Sequence, residues 1–261
     1  EYQSLQTVTK IPALVPNVGR ITVPTFDGVT PLGGRDIEVG GVKGIKEYDI
    51  KTDKAALEER VKKINEHTSD PSKPHSTGKE IIPSNGVGTN EEVRYNVPKE
   101  GEDSDGNTLW KSYSYHSADN IHRFTDQPTL ETFVTGATKW RELQVSEGGA
   151  PQPIFVNDFS MPGAGNSPFA GGHHQYASAI DVGIPGNNGA QASTFNSSNY
   201  DRNKTIQLIK VMGESVPEGY KLQVFFNDQN VINEFSGTNI SVSYLDGHDT
   251  HVHFQLVKIK E

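Results

Sequence analysis

The segment Ala179-Ile180-Asp181-Val182 sets a carboxylate inside an apolar run. A strand of this composition belongs in a protein interior, where an uncompensated charge is costly. Any fold that buries it must therefore bring a partner to Asp181. A salt bridge or a turn cap is the plain way to satisfy such a residue, and a metal ion is the other.

The histidines bear on that choice. Five of the nine fall in two short segments, Gly171-Gly172-His173-His174-Gln175 and Gly247-His248-Asp249-Thr250-His251-Val252-His253. His251 and His253 are two apart in a predicted strand, so their side chains share one face. Such a pair can present one metal ligand and one catalytic neighbour to a single point. An exposed polar strand face with incidental histidines would read the same way. His174 lies seven residues before Asp181, with a turn entering a strand between them. The two segments together supply two His and one Asp and leave a coordination position open. That is the composition of a catalytic zinc site rather than a closed structural one, and such a zinc lowers the pKa of bound water to about 7.

Composition narrows the alternatives. The 261 residues suffice for a substantial core, in one large domain or two small ones. The net charge of -9, from 24 Lys+Arg against 33 Asp+Glu, disfavours electrostatic capture of nucleic acid or anionic lipid. No run approaches the roughly 18 apolar residues that a membrane span requires. There is no cysteine, so disulfides, thiolate chemistry and Cys-type zinc sites are all excluded. The chain begins Glu1-Tyr2-Gln3 without a basic-then-apolar leader, a start that a processed leader or a trimmed N-terminus would explain equally.

The apolar patterning divides the chain near position 105. Within residues 1–105, Arg20–Thr25 and Arg35–Val42 read as strands, and Thr52 or Asp53 caps an amphipathic helix to about Glu66 with a stripe of Leu57, Val61 and Ile64. Residues 67–108 are broken by Pro71, Pro74, Pro83 and Pro98 and close on an acidic patch at Glu100 to Asp105; they read as a long loop with one strand at Val93–Val97. Residues 106–261 regain order. The expected elements are a strand at Leu109–Tyr115 and a helix to about Leu143 with Pro128 in its first turn after Asp126. Strands follow at Pro153–Phe159 and Ala177–Ile184, then a helix capped by Asp201, then a strand at Tyr220–Phe226. Ile240–Leu245 and Val252–Ile259 read as a final antiparallel pair turned at Asp246-Gly247. This order predicts an α+β domain, an antiparallel sheet with flanking helices.

His174-x6-Asp181 followed by His251-x-His253 resembles the group that unites lysostaphin-type endopeptidases, D-alanyl-D-alanine peptidases and the hedgehog signalling domain. Within it the chain is most similar to the penicillin-insensitive murein endopeptidases, whose His-x-x-His-x-His ending is reproduced by His248, His251 and His253. Asn157-Asp158-Phe159-Ser160-Met161-Pro162 ahead of the glycine-rich stretch, and Phe225-Phe226-Asn227-Asp228 ahead of the final motif, resemble the same family, and the likeness spans roughly residues 128–258. The resemblance implies a hedgehog/D-Ala-D-Ala-peptidase-like catalytic domain with zinc held by His174, Asp181 and His253. It further implies hydrolysis of peptide bonds in peptidoglycan stem peptides or cross-links, by an enzyme that is periplasmic or secreted.

The chain departs from that pattern in three places. Gly171 stands where the endopeptidases carry a further His, their usual cysteines are missing, and Thr250 stands where the D-alanyl-D-alanine peptidases place a Glu general base. A Thr hydroxyl does no acid/base work near neutral pH, so the base falls to His251 or His248, whose unperturbed imidazoles titrate near ~6.5. His251 could equally stabilise an oxyanion. His173 reads as groove-lining, Asp246 and Asp249 as turn residues, and Asp158 as either a cap or a contributor to the site. Two further outcomes are compatible with the pattern: a zinc-containing binding or signalling module without turnover, and a structural component of a phage or secretion machine with a peptidase tip.

Overall fold

The structure, a computed structural model, describes residues 33–49, 52–53, 55–56, 58–59, 93–112, 123–160, 178–187 and 189–259. The strand expected at 20–25, most of the helix expected to Glu66, the Gly163–Gly172 stretch, and His173 and His174 lie outside the described residues.

Two sheets and two long helices organise these residues. A small antiparallel sheet takes β1 (Arg35–Val39), β2 (Val42–Asp49), β3 (Val93–Asn96) and β6 (Phe124–Thr125), in the order β1-β2-β3-β6. The larger sheet has the order β11-β10-β12-β8-β7-β5-β4, with β9 pairing β8 off that path. Its strands are β4 (Glu100–Glu102), β5 (Thr108–Ser112), β7 (Ile154–Asp158), β8 (Ala179–Pro185), β9 (Gln191–Ala192), β10 (Tyr220–Phe225), β11 (Ser241–Ser243) and β12 (His251–Lys258). The helices are α1 (Gln127–Ser146), α2 (Arg202–Gly213) and the short α3 (Gln229–Glu234).

Local sequence explains the helix starts. Asp126 and Asp201 are extended N-cap residues whose carboxylates accept from the Thr129 and Lys204 amides, satisfying donors that the first turn leaves without partners. Pro128 sits in the first turn of α1, where its missing N–H costs nothing. The expected apolar stripe Leu130, Phe133, Val134, Ala137 and Trp140 is buried along α1, and Leu208, Ile209 and Met212 along α2.

The large sheet is mixed rather than antiparallel throughout. β5 runs parallel to β7, and β10 runs parallel to β11, while the remaining ladders are antiparallel. A parallel neighbour requires a crossover, and the chain supplies one each time: β6 and α1 between β5 and β7, and α3 between β10 and β11. The expected hairpin of β11 with β12 therefore does not form. The crossover sends β11 to the outer side of β10, and β12 enters between β10 and β8. The α3 helix has only six residues, too few to leave a readable period.

One core joins the elements. Val42, Ile45 and Tyr95 from the small sheet, with Val97 just after β3, belong to the same buried cluster as Ile180, Val182, Val224, Val252 and Phe254 from the large sheet and the buried faces of α1 and α2. Ladders also cross position 105: β3 pairs with β6 and β4 with β5. Trp110 and Phe159 flank Phe133 at ring-centroid distances of 4.9 and 5.2 Å. On β8 and β12, Ile180, Val182, Ile184, Val252, Phe254 and Leu256 enter this core, so strand alternation turns Asp181, Gly183, His251 and His253 to the opposite face. Among the described residues no helix is long and apolar enough to cross a membrane.

Trp140 tests the core directly, because it is 1 % exposed and its indole N–H donates to the Gln152 carbonyl at 2.9 Å. Trp140→Ala should cost about 3–5 kcal/mol in urea unfolding, a large cavity plus the loss of one of the two hydrogen bonds to the Gln152 carbonyl, which keeps that from Gln144 Nε2 at 3.0 Å. A loss below about 1 kcal/mol would contradict this packing.

Candidate active site

Four adjacent strands bring the site together by register. Phe225 of β10 pairs with His253 of β12, His253 with Asp181 of β8, and Asp181 with Asp158 of β7. The last pairing follows a bulge between Val156 and Asp158, which re-aims the end of β7. Directly opposed residues hold their Cβ atoms about 4.5–5.5 Å apart, close enough for short polar side chains to meet.

At the centre, His253 Nδ1 and Asp181 Oδ1 are 2.7 Å apart. A carboxylate only accepts, so the imidazole N–H donates. His253 is fully buried and Asp181 is 6 % exposed, so this pair is the partner that a carboxylate in an apolar strand requires. His251, two residues before His253, places its Nε2 3.5 Å from Asp181 Oδ2. Its other nitrogen, Nδ1, lies 3.1 Å from the Thr250 hydroxyl. Thr250 thus orients the ring so that Nε2 faces the carboxylate.

His248 comes from the loop before β12 and is 1 % exposed. Its Nδ1 lies 3.0 Å from the Leu245 carbonyl and 3.2 Å from the Asp246 carbonyl. Both are acceptors, so Nδ1 carries the proton and Nε2 is the basic nitrogen of the neutral ring. The His248 ring stands 4.8 Å from that of His251 and 5.6 Å from that of His253, centroid to centroid, and Phe225 closes the cluster at 5.8 and 5.6 Å from His248 and His253.

Asn227 holds this loop in place. Its amide N–H₂ donates to Asp249 Oδ1 at 2.7 Å, its side-chain oxygen accepts from the Leu245 amide at 3.1 Å, and its backbone N–H donates to the His248 carbonyl at 3.3 Å. Gly247, with φ +87°, makes the turn that the Asp246-Gly247 pair predicts. The Asp246 carboxylate accepts from the Tyr244 hydroxyl and the Asp249 carboxylate from Asn227, so both are spent on the loop itself. Next to Asn227, Asp228 caps α3 and accepts from Arg202 Nε at 2.7 Å and the Tyr200 hydroxyl at 2.9 Å. Burial raises the Asp228 pKa, but the Arg202 and Tyr200 hydrogen bonds, the Asn230 amide and the Arg202 charge outweigh it and hold the carboxyl below its usual range. Burial and the Asp228 bond raise the Tyr200 phenol.

Of the sequence-based candidates, Asp181, His248, His251 and His253 converge, and His174 lies outside the described residues. Among the described residues alone, no three His, Asp or Glu side chains group as a metal site. The chemistry of the two described ligand candidates nevertheless suits zinc: one imidazole nitrogen and one carboxylate oxygen, already side by side in a buried row. On a tetrahedral zinc with bonds of about 2.0 Å the two donors would stand about 3.3 Å apart, so they would have to part by about 0.6 Å. Sequence reading left Asn227 and Thr250 without roles. Asn227 stands beside the quoted Phe225-Phe226 motif, but its bonds reach 18 and 22 residues ahead, a separation with no local signature.

No protein-family model matches the chain, and no match is found among curated proteins.

Because the folded Asp228 carboxyl is held low, its contribution is complete above the ordinary carboxylate pKa of about 4 and is lost as pH falls through the folded value. Asp228→Asn should therefore be less stable than wild type at neutral pH by urea midpoint, and the gap should close on acidification toward about pH 2. A gap that stays constant with pH would contradict the ionised pairing with Arg202.

Proposed function

We propose that the chain is a zinc-dependent peptidase that hydrolyses peptide bonds in peptidoglycan stem peptides or their cross-links. The observation that carries this reading is the buried His253–Asp181 pair, with the imidazoles of His251 and His248 beside it on the sheet face turned away from the helix-packed core. Asp181 and His253, with His174, would hold the metal. When bound, zinc supplies the Lewis acidity that makes water a nucleophile near neutral pH. The remaining chemistry belongs to the chain. His248, fixed with its proton on Nδ1 by two carbonyls, offers Nε2 to take a proton from the attacking water and return it to the leaving amine. His251, turned by Thr250, offers Nε2 beside Asp181, where it can donate to a developing oxyanion or share the proton transfer. Both roles use groups held by hydrogen bonds before substrate arrives, which lowers the cost of reaching the reactive geometry. Acting on peptidoglycan puts the enzyme in the periplasm or outside the cell.

One observation favours a second reading, a zinc-containing binding module without turnover. The residue preceding His251 is Thr250, whose hydroxyl orients His251 and supplies no carboxylate base. Incubating the zinc-loaded protein with purified peptidoglycan separates the two: new peptide fragments support the peptidase, and intact peptidoglycan with zinc bound supports the module.

His174→Ala and Asp181→Ala should each abolish tight zinc binding, read as metal per chain after dialysis. Stoichiometric zinc in either variant would remove that residue from the ligand set. His251→Ala should keep its zinc and lose activity by about 10²–10⁴-fold, the usual worth of a positioned proton-transfer group. Unchanged turnover would take His251 out of the mechanism.

A further inference from the structure

We infer that Gln191 is a substrate-binding residue of this site, its side-chain oxygen accepting a backbone N–H of the bound peptide; the inference rests on the peptidase reading. Gly183 is the register partner of His251 and lies two residues from Asp181 on the same strand, so its side-chain position faces the site. It has no side chain, and the amide of Gln191 fills that space: a Cβ on Gly183 would lie 2.2 Å from Gln191 Cδ, 2.4 Å from Nε2 and 2.5 Å from Oε1. β9 explains the placement. Gln191 pairs with Pro185, which shares the β8 face of Gly183 and Asp181, and its side chain reaches along that face to the Gly183 position.

The backbone beneath this amide is held. Gln152 Nε2 donates to the Ala190 carbonyl at 3.1 Å, and Asn199 Nδ2 lies 3.5 Å from the Gln191 carbonyl. Farther along the same loop, the Phe195 amide donates to the Asp249 carbonyl at 3.0 Å, tying it to the histidine loop. Gln191 Oε1 is nevertheless buried with no hydrogen-bond partner among the described residues. A buried acceptor left unmet is costly, so a donor that a bound peptide brings to Gln191 Oε1 would relieve that cost. A peptide offers one N–H per residue. An amide acceptor takes that N–H without adding a second negative charge beside Asp181.

The test uses the full chain loaded with zinc and a cross-linked stem-peptide dimer as substrate. Gln191→Met keeps the length of the side chain and removes the acceptor. Gly183→Ala keeps the acceptor and displaces it. Each should raise KM about five- to tenfold, the scale of one neutral hydrogen bond, with kcat within about twofold and zinc still stoichiometric. The Tm of Gln191→Met should be unchanged or higher, because no bond within the protein is lost. An unchanged KM in Gln191→Met, with the wild type cleaving the dimer, would overturn the role of Gln191 alone. A raised KM that tracks a fall in Tm or in zinc content would make Gln191 structural and also overturn it. A wild-type protein that binds zinc and leaves the dimer intact would overturn the peptidase reading and this inference with it.

Discussion

The pairing of Asp181 with His253 is the interaction on which the rest of the structure depends. It lies at the centre of an eight-stranded sheet, between β8, buried along its whole length, and the buried stretch Val252–Phe254 of β12. Removing either partner would take its shortest hydrogen bond from a buried polar group, at a cost of about 1–3 kcal/mol. The pair also fixes register. A one-residue slip of β8 against β12 would turn Asp181 toward the helices and Ile180 and Val182 away from them. The apolar face and the polar face therefore enforce the same alignment from opposite sides, and that alignment is what sets His251 against Gly183 and leaves room for Gln191.

Around this pair the fold supplies support in layers. Thr250 sets the ring of His251, two carbonyls set the tautomer of His248, and Asn227 holds the loop that provides those carbonyls. Asn227 is in turn followed by Asp228, which is anchored by Arg202 and Tyr200 at the start of α2. His253 is thus positioned by Asp181 on β8, and His251 and His248 by groups of the loop before β12 that Asn227 ties down. Phe225 adds an apolar wall that strengthens the electrostatic interactions beside it by excluding water.

Much of this was legible along the chain because it is local. The cap at Asp201 follows from residue type, and the stripe on α1, the apolar strand around Asp181 and the shared face of His251 and His253 follow from periods of 3.6 and 2. What escaped is non-local. The parallel partnership of β10 and β11 depends on a six-residue helix too short to show a period, and the reach of Asn227 spans a strand and a loop. The role of Gly183 was hidden for a related reason. A glycine in an apolar strand reads as a weak point until its register partner and the side chain covering it are known. His174 and Asp181 are seven apart in sequence, and that spacing motivates the ligand set on chemistry and resemblance.

The central claim is that Asp181 and His253 share a metal. It is tested most directly by crystals of the purified protein grown with zinc and measured on both sides of the zinc absorption edge. The account predicts a single strong anomalous peak within about 2.0–2.2 Å of His253 Nδ1 and of an Asp181 carboxylate oxygen. Full zinc loading with the peak elsewhere, or no peak beside a preserved His253–Asp181 hydrogen bond, would contradict it.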